Sequence, residues 1–177
     1  MNYREKVREL ENVLEVARTL ETQFEIAKKN IEKYKELSSK IDNETGLKFS
    51  KKKIGEANAK FEEGDYELAA EIADLSFTEI EKCYDAFSLA RGSFRKISEI
   101  KITNVPDLHE IEENMSNLML EGEYDSAYQI AIDTENIYTS KLEDYNEATN
   151  LVQYLSQHIE EAKLHILIES FVPGQED

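Results

Sequence analysis

The stretch ANAKFEEGDYELAAEIA, residues 57–73, decides the architecture of this chain. Ala57 and Phe61 lie four apart before Gly64-Asp65-Tyr66, and Ala69, Ile72 and Ala73 follow it at steps of three and four. Such steps put side chains on one face of a helix. Gly64 suits the left-handed position that ends one helix, and the Asp65 carboxylate suits the cap of the next. The stretch therefore reads as helix, tight turn, helix. It recurs 58 residues later as MSNLMLEGEYDSAYQIA, residues 115–131. There Gly122-Glu123-Tyr124 forms the turn, Met119 takes the place of Phe61, and Ala127 and Ala131 take those of Ala69 and Ala73.

The offset of 58 holds outward from the turn: Tyr84 falls on Leu142, Ala90 on Ala148, Phe94 on Val152 and Ile97 on Leu155. The N-terminal segment joins at an offset near 60, with Leu20 on Ile80, Phe24 on Tyr84 and Tyr34 on Phe94. Self-similarity at a fixed period is the mark of a repeat array.

Apolar periodicity and turn residues predict long helices over about 3–41, 66–100 and 124–169, alternating with short ones over about 50–62 and 107–120. The breaks are Asp42-Asn43-Glu44-Thr45-Gly46, the run 101–107 with Pro106 placed to start a helix, and Pro173-Gly174. Gly92 lies inside a long helix, where it costs about 1 kcal/mol relative to Ala and offers close packing or a bend.

The expected fold is all-α, an elongated array of three-helix bundles in which each long helix is shared by two bundles. One bundle falls in residues 1–82, with an incomplete N-terminal repeat, and the other in 83–177, with an incomplete C-terminal repeat. Each repeat advances the array by roughly 30 Å at 1.5 Å per residue. Ala69, Ala73, Ala127 and Ala131 are small enough to let the short helix approach, with Phe61 or Met119 filling the end of the bundle. Tyr66 and Tyr124 are expected to pack under the turns with their hydroxyls near water.

Charge narrows the partners. The net charge is −17, and residues 104–177 hold only Lys141 and Lys163 against 17 acidic groups. Such a surface repels phosphate backbones and anionic lipid, so neither nucleic acid nor a membrane surface is an expected partner. The Lys-rich runs Lys28–Lys35 and Lys48–Lys53 read as solvated faces. No run of about 18 apolar residues appears, so direct membrane insertion is not expected. The expected setting is cytoplasmic, or a soluble segment of a larger, membrane-anchored protein.

Catalytic chemistry finds no foothold in the motifs. There is no Gly-rich phosphate loop, no His-Glu-x-x-His and no nucleophile elbow. His158, Glu161 and His165 share a helix face, but a solvated surface is the expected reading over a metal site. Cys83 is the single cysteine, in register with apolar neighbours, and reads as a buried, inert thiol. Neither an enzyme nor a cofactor is expected.

The pattern Ala57-x-x-x-Phe61-x-x-Gly64-Asp65-Tyr66-x-x-Ala69-x-x-x-Ala73 resembles the helix–turn–helix core of tetratricopeptide repeats, over about 20 residues. That family restarts every 34 residues, whereas here the period is 58. The layout of long and short helices is similar to spectrin-like arrays, and the run from Glu56 to Glu81 resembles bacterial septation-ring regulators and archaeal helical-repeat proteins. These resemblances imply a structural, scaffolding repeat segment that mediates protein–protein contacts within a longer protein. The alternative they imply is a tetratricopeptide-like adaptor for a basic peptide or helix. The outer halves of the end helices, around Val7–Leu20 and Leu151–Ile168, carry apolar stripes with no expected cover. Natural arrays protect such ends, so either flanking segments or self-association should cover them.

Overall fold

A computed structural model describes residues 3–171, with side chains described through Leu167. Five helices follow one another: α1 (Tyr3–Glu44), α2 (Lys52–Glu63), α3 (Tyr66–Ile100), α4 (Leu108–Glu121) and α5 (Tyr124–Phe171). The described residues contain no strand, and the fold is all-α.

Local chemistry sets the helix ends. Gly64 and Gly122 adopt φ of 83° and 91°, the left-handed region that a Cβ disfavours. Behind Gly64, the Asp65 amide donates to the Lys60 carbonyl at 3.0 Å; behind Gly122, the Glu123 amide donates to Leu118 at 2.8 Å. Both are six-to-one closures that satisfy the last carbonyls of a helix. The Asp65 carboxylate accepts from the Leu68 amide and caps α3. The two turns quoted above thus share the left-handed glycine and the six-to-one closure.

Two boundaries differ from the sequence expectation. Residues Asp42, Asn43 and Glu44 extend α1 rather than breaking it. The Thr45 amide and hydroxyl both donate to the Ile41 carbonyl at 3.0 Å, the Arg91 guanidinium donates to the Glu44 carbonyl, and the Tyr84 hydroxyl donates to the Glu44 carboxylate, so local and tertiary donors together hold the helix end. Pro106 does not start α4. Asp107 is the cap, accepting from the His109 amide at 2.7 Å, and Pro106 precedes it. The expected stop at Pro173-Gly174 lies outside the described residues.

The long helices pack in parallel. From α1 to α3, Gln23 bonds Glu67, Asn30 reaches the Ala70 carbonyl, and Lys40 lies 4.7 Å from the Tyr84 ring. From α3 to α5, Lys82 pairs with Asp125, Ser93 with Glu135, and Phe94 with Tyr138. Both sets advance together along the two chains at a separation near 43 residues. The second half of α1 and the first half of α3 enclose α2, and the second half of α3 packs with α4 and the first half of α5. Among the described residues, α1 and α5 do not touch. The expected boundary at 82/83 falls inside α3, and one buried cluster runs across it from Ile31 and Tyr34 to Ala127 and Ala131.

Candidate functional site

The ten turn and packing positions singled out above fall in two groups. Ala69, Ala73, Ala127 and Ala131 are all fully buried, at the interfaces between long helices. Met119 is fully buried too, whereas Phe61 is half-buried in a ring cluster, 5.1 Å from Phe24 and 5.3 Å from Tyr66. Gly64 and Gly122 stay exposed at the turns.

The turn tyrosines differ from each other and from expectation. Tyr66 is half-buried in that ring cluster. Tyr124 is buried, and its hydroxyl donates to the Ser50 carbonyl at 3.3 Å. Burial pushes its pKa up to about 12.

The reason is the segment between α1 and α2, which the sequence pattern had marked as a break. Leu47 and Phe49 are buried there, while the backbone runs along α4. The Lys48 amide donates to the Ser116 hydroxyl at 3.1 Å and the Ser50 amide to the Met119 carbonyl at 3.1 Å. The two alternate with Lys48 and Ser50, a period-two pattern that marks an extended segment with one apolar face. The same lysines are not simply solvated: Lys53 bridges Glu79 at 2.5 Å and sits 5.7 Å from the Tyr124 ring, and Lys51 lies over Phe49. Their ammonium groups stand over aromatic faces in cation–π geometry.

Cys83 lies at this junction. It is fully buried, its thiol faces the Tyr124 carbonyl at 3.3 Å, and burial pushes its pKa up to about 11. A thiol held protonated is a poor nucleophile. Tyr34 is also buried, with its pKa pushed up to about 12 by burial first and Asp42 second. Its hydroxyl finds no partner. Tyr138, which sequence reasoning missed, is fully buried and donates to the Pro106 carbonyl at 2.7 Å. Its signal was the 58-residue offset from Ile80, also fully buried.

The surface offers shallow depressions rather than an enclosed site. One is lined by Glu44, Arg91, Phe94 and His109, another by His109, Glu112 and Glu113. Among the described residues, no group of three His, Cys, Asp or Glu side chains is arranged to hold a metal. His158 is spent on its own helix, with Nδ1 2.9 Å from the Tyr154 carbonyl. Among the described residues, no helix is long and apolar enough to cross a membrane.

What does stand out is the pair of outer half-helices. Residues 3–22 of α1 are all exposed, including Leu10, Val13, Val16 and Leu20. In α5, residues 143–167 are exposed except for half-buried Thr149, and they include Val152, Tyr154, Leu155 and Ile159. Ile168 lies outside the residues whose side chains are described. Exposed apolar surface of this kind makes the two half-helices the candidate site of this chain. In comparisons with known proteins, no family model, curated protein or solved structure matches the chain.

Proposed function

We propose that this chain is a structural helical-repeat segment, an elongated scaffold of spectrin-like three-helix units that acts through protein contacts and has no catalytic role. The observation that carries the reading is the repeated parallel register of the long helices. Gln23–Glu67 and Lys40–Tyr84 join α1 to α3, and Lys82–Asp125 and Ser93–Glu135 join α3 to α5. One helix serving two successive units in the same register is how a linear array is extended. The buried Cys83 thiol and the shallow surface depressions support a scaffold over an enzyme.

Small-angle scattering tests it. Laying the three long helices in the observed registers gives a particle on the order of 100 Å long at 1.5 Å per residue. A compact domain of this length has a radius of gyration of about 16 Å, and the rod about twice that. A monomer with the compact value overturns the array reading.

A further inference from the structure

We propose that the outer half of α5 docks the outer half of α1 from a second copy of this chain, in parallel and head to tail. The proposal rests on the array reading and adds to it a defined partner and register. The first support is internal. Tyr145, Ala148, Val152 and Leu155 on α5 fall 58 residues after Phe87, Ala90, Phe94 and Ile97 on α3. Three of those four α3 residues are buried, and the fourth, Phe94, packs 5.4 Å from Tyr138 of α5. The α5 counterparts form the same face and are uncovered: Tyr145 is 41% exposed, Val152 62% and Leu155 50%.

The second support is that α1 presents the complementary face. Shifted by the offset of 60, Val13, Val16 and Leu20 fall on Ala73, Ser76 and Ile80, the α3 positions buried beside the preceding long helix. In α1 they are exposed. The register follows from Lys82–Asp125 and Ser93–Glu135: carried along the repeat, these place Val7 beside Ser140 and Ala17 beside Leu151.

The third support is charge. In that register Arg8 falls level with Lys141 and lies two to three residues along the axis, roughly 3–5 Å, from Glu143 and Asp144. The same α5 segment also carries Glu147, Glu160 and Glu161 against the one cation Lys163. Residues 143–167 thus hold five acidic groups against one basic, and two such halves repel each other, whereas residues 3–22 of α1 are close to neutral, with four basic groups against five acidic, and meet this surface with less repulsion. A single pair of helices is a small interface, so the affinity falls in the weak, micromolar range.

Sedimentation velocity on the 177-residue chain tests this. The average mass should rise with concentration from about 10 to 200 µM, as a weak contact requires. Val152→Glu with Leu155→Glu blocks the α5 face, and Val13→Glu with Val16→Glu blocks the α1 face. All four positions are exposed, and unchanged far-UV circular dichroism confirms that both variants fold. Each variant alone should stay monomeric. Mixed one to one, they should form a heterodimer and nothing larger, because each keeps the face the other lost. A monomeric wild type, a mixture that stays monomeric, or either variant still associating by itself overturns the proposal. A monomer that keeps rod dimensions in scattering removes this contact alone and leaves the array reading standing.

Discussion

The first and second halves of α5 follow one rule and meet opposite fates. Tyr124, Ala127, Ala131, Thr134 and Tyr138 step by three and four, and each is buried. The same alternation continues without a break through Tyr145, Ala148, Val152 and Leu155, and each of these is exposed. Periodicity states which face of a helix is apolar. Whether that face is dry depends on a neighbour, and α3 and α4 reach only the first half. In α1 the order is reversed: residues 3–22 stand clear, while Ala27, Ile31, Tyr34 and Ile41 are enclosed by α2 and α3.

Mutations at matched positions separate the two regions. The largest effect is expected from Tyr138→Ala, which removes a fully buried ring and should cost about 3–5 kcal/mol in urea unfolding. Val152→Glu, at a matching seam position in the exposed half, should change monomer stability by less than about 0.5 kcal/mol. Equal losses from the two would break the comparison.

Ala131→Leu comes next. The site is fully closed, so added bulk should cost about 1–3 kcal/mol, while Ala148→Leu on the exposed half should be nearly neutral.

Alkali should unfold the closed region from within. Below about pH 9, Cys83, Tyr34, Tyr124 and Tyr138 keep their protons whether folded or not. Above it the unfolded thiol, then near pH 10 the unfolded phenols, lose theirs, while the buried groups hold on to about 11 and 12. The unfolded state then binds fewer protons, so stability is fully present below pH 9 and is lost as pH rises toward 12. The loss of helicity, followed by circular dichroism, and the tyrosine ionisation still outstanding above pH 11, followed by ultraviolet absorbance, should occur together. Complete tyrosine ionisation below pH 11 with helicity intact would show that the junction is wet.

Two smaller changes sharpen the picture of that junction. Tyr34→Phe should stabilise by about 1 kcal/mol, because it deletes a buried hydroxyl that has no partner. Tyr138→Phe should destabilise by about as much, because it strands the Pro106 carbonyl. Thermal melts of the two variants should shift in opposite directions.

Much of the fold was legible because it is local. Gly64-Asp65-Tyr66 and Gly122-Glu123-Tyr124 announce their turns through left-handed glycines and short polar caps, and these depend on a few neighbouring residues. The buried alanines announced themselves through spacing. What escaped reading depends on distant partners. Asp42-Asn43-Glu44 looks like a helix end, yet Arg91, 47 residues on, donates to the Glu44 carbonyl, and Tyr84, 40 residues on, donates to the Glu44 carboxylate. Leu47 and Phe49 look like loop, yet α4 gives their backbone hydrogen bonds. Gly92 looked like a close-packing site, but a Cβ there would meet nothing within 4 Å, so its cost has no packing return. The exposed end stripes were legible as stripes, and the register in which they are proposed to meet comes only from the contacts among α1, α3 and α5.

Sequence alone determined the helical class, the two turns, the period of 58 and the faces that would seek cover, because each follows from spacing and backbone preference within a few residues. Tertiary structure decided that the long helices lie parallel, that the α1–α2 connection closes the junction, and which halves of each apolar stripe are dry. Those outcomes depend on which surfaces meet, and hydrophobic burial has no direction until a second surface is in place.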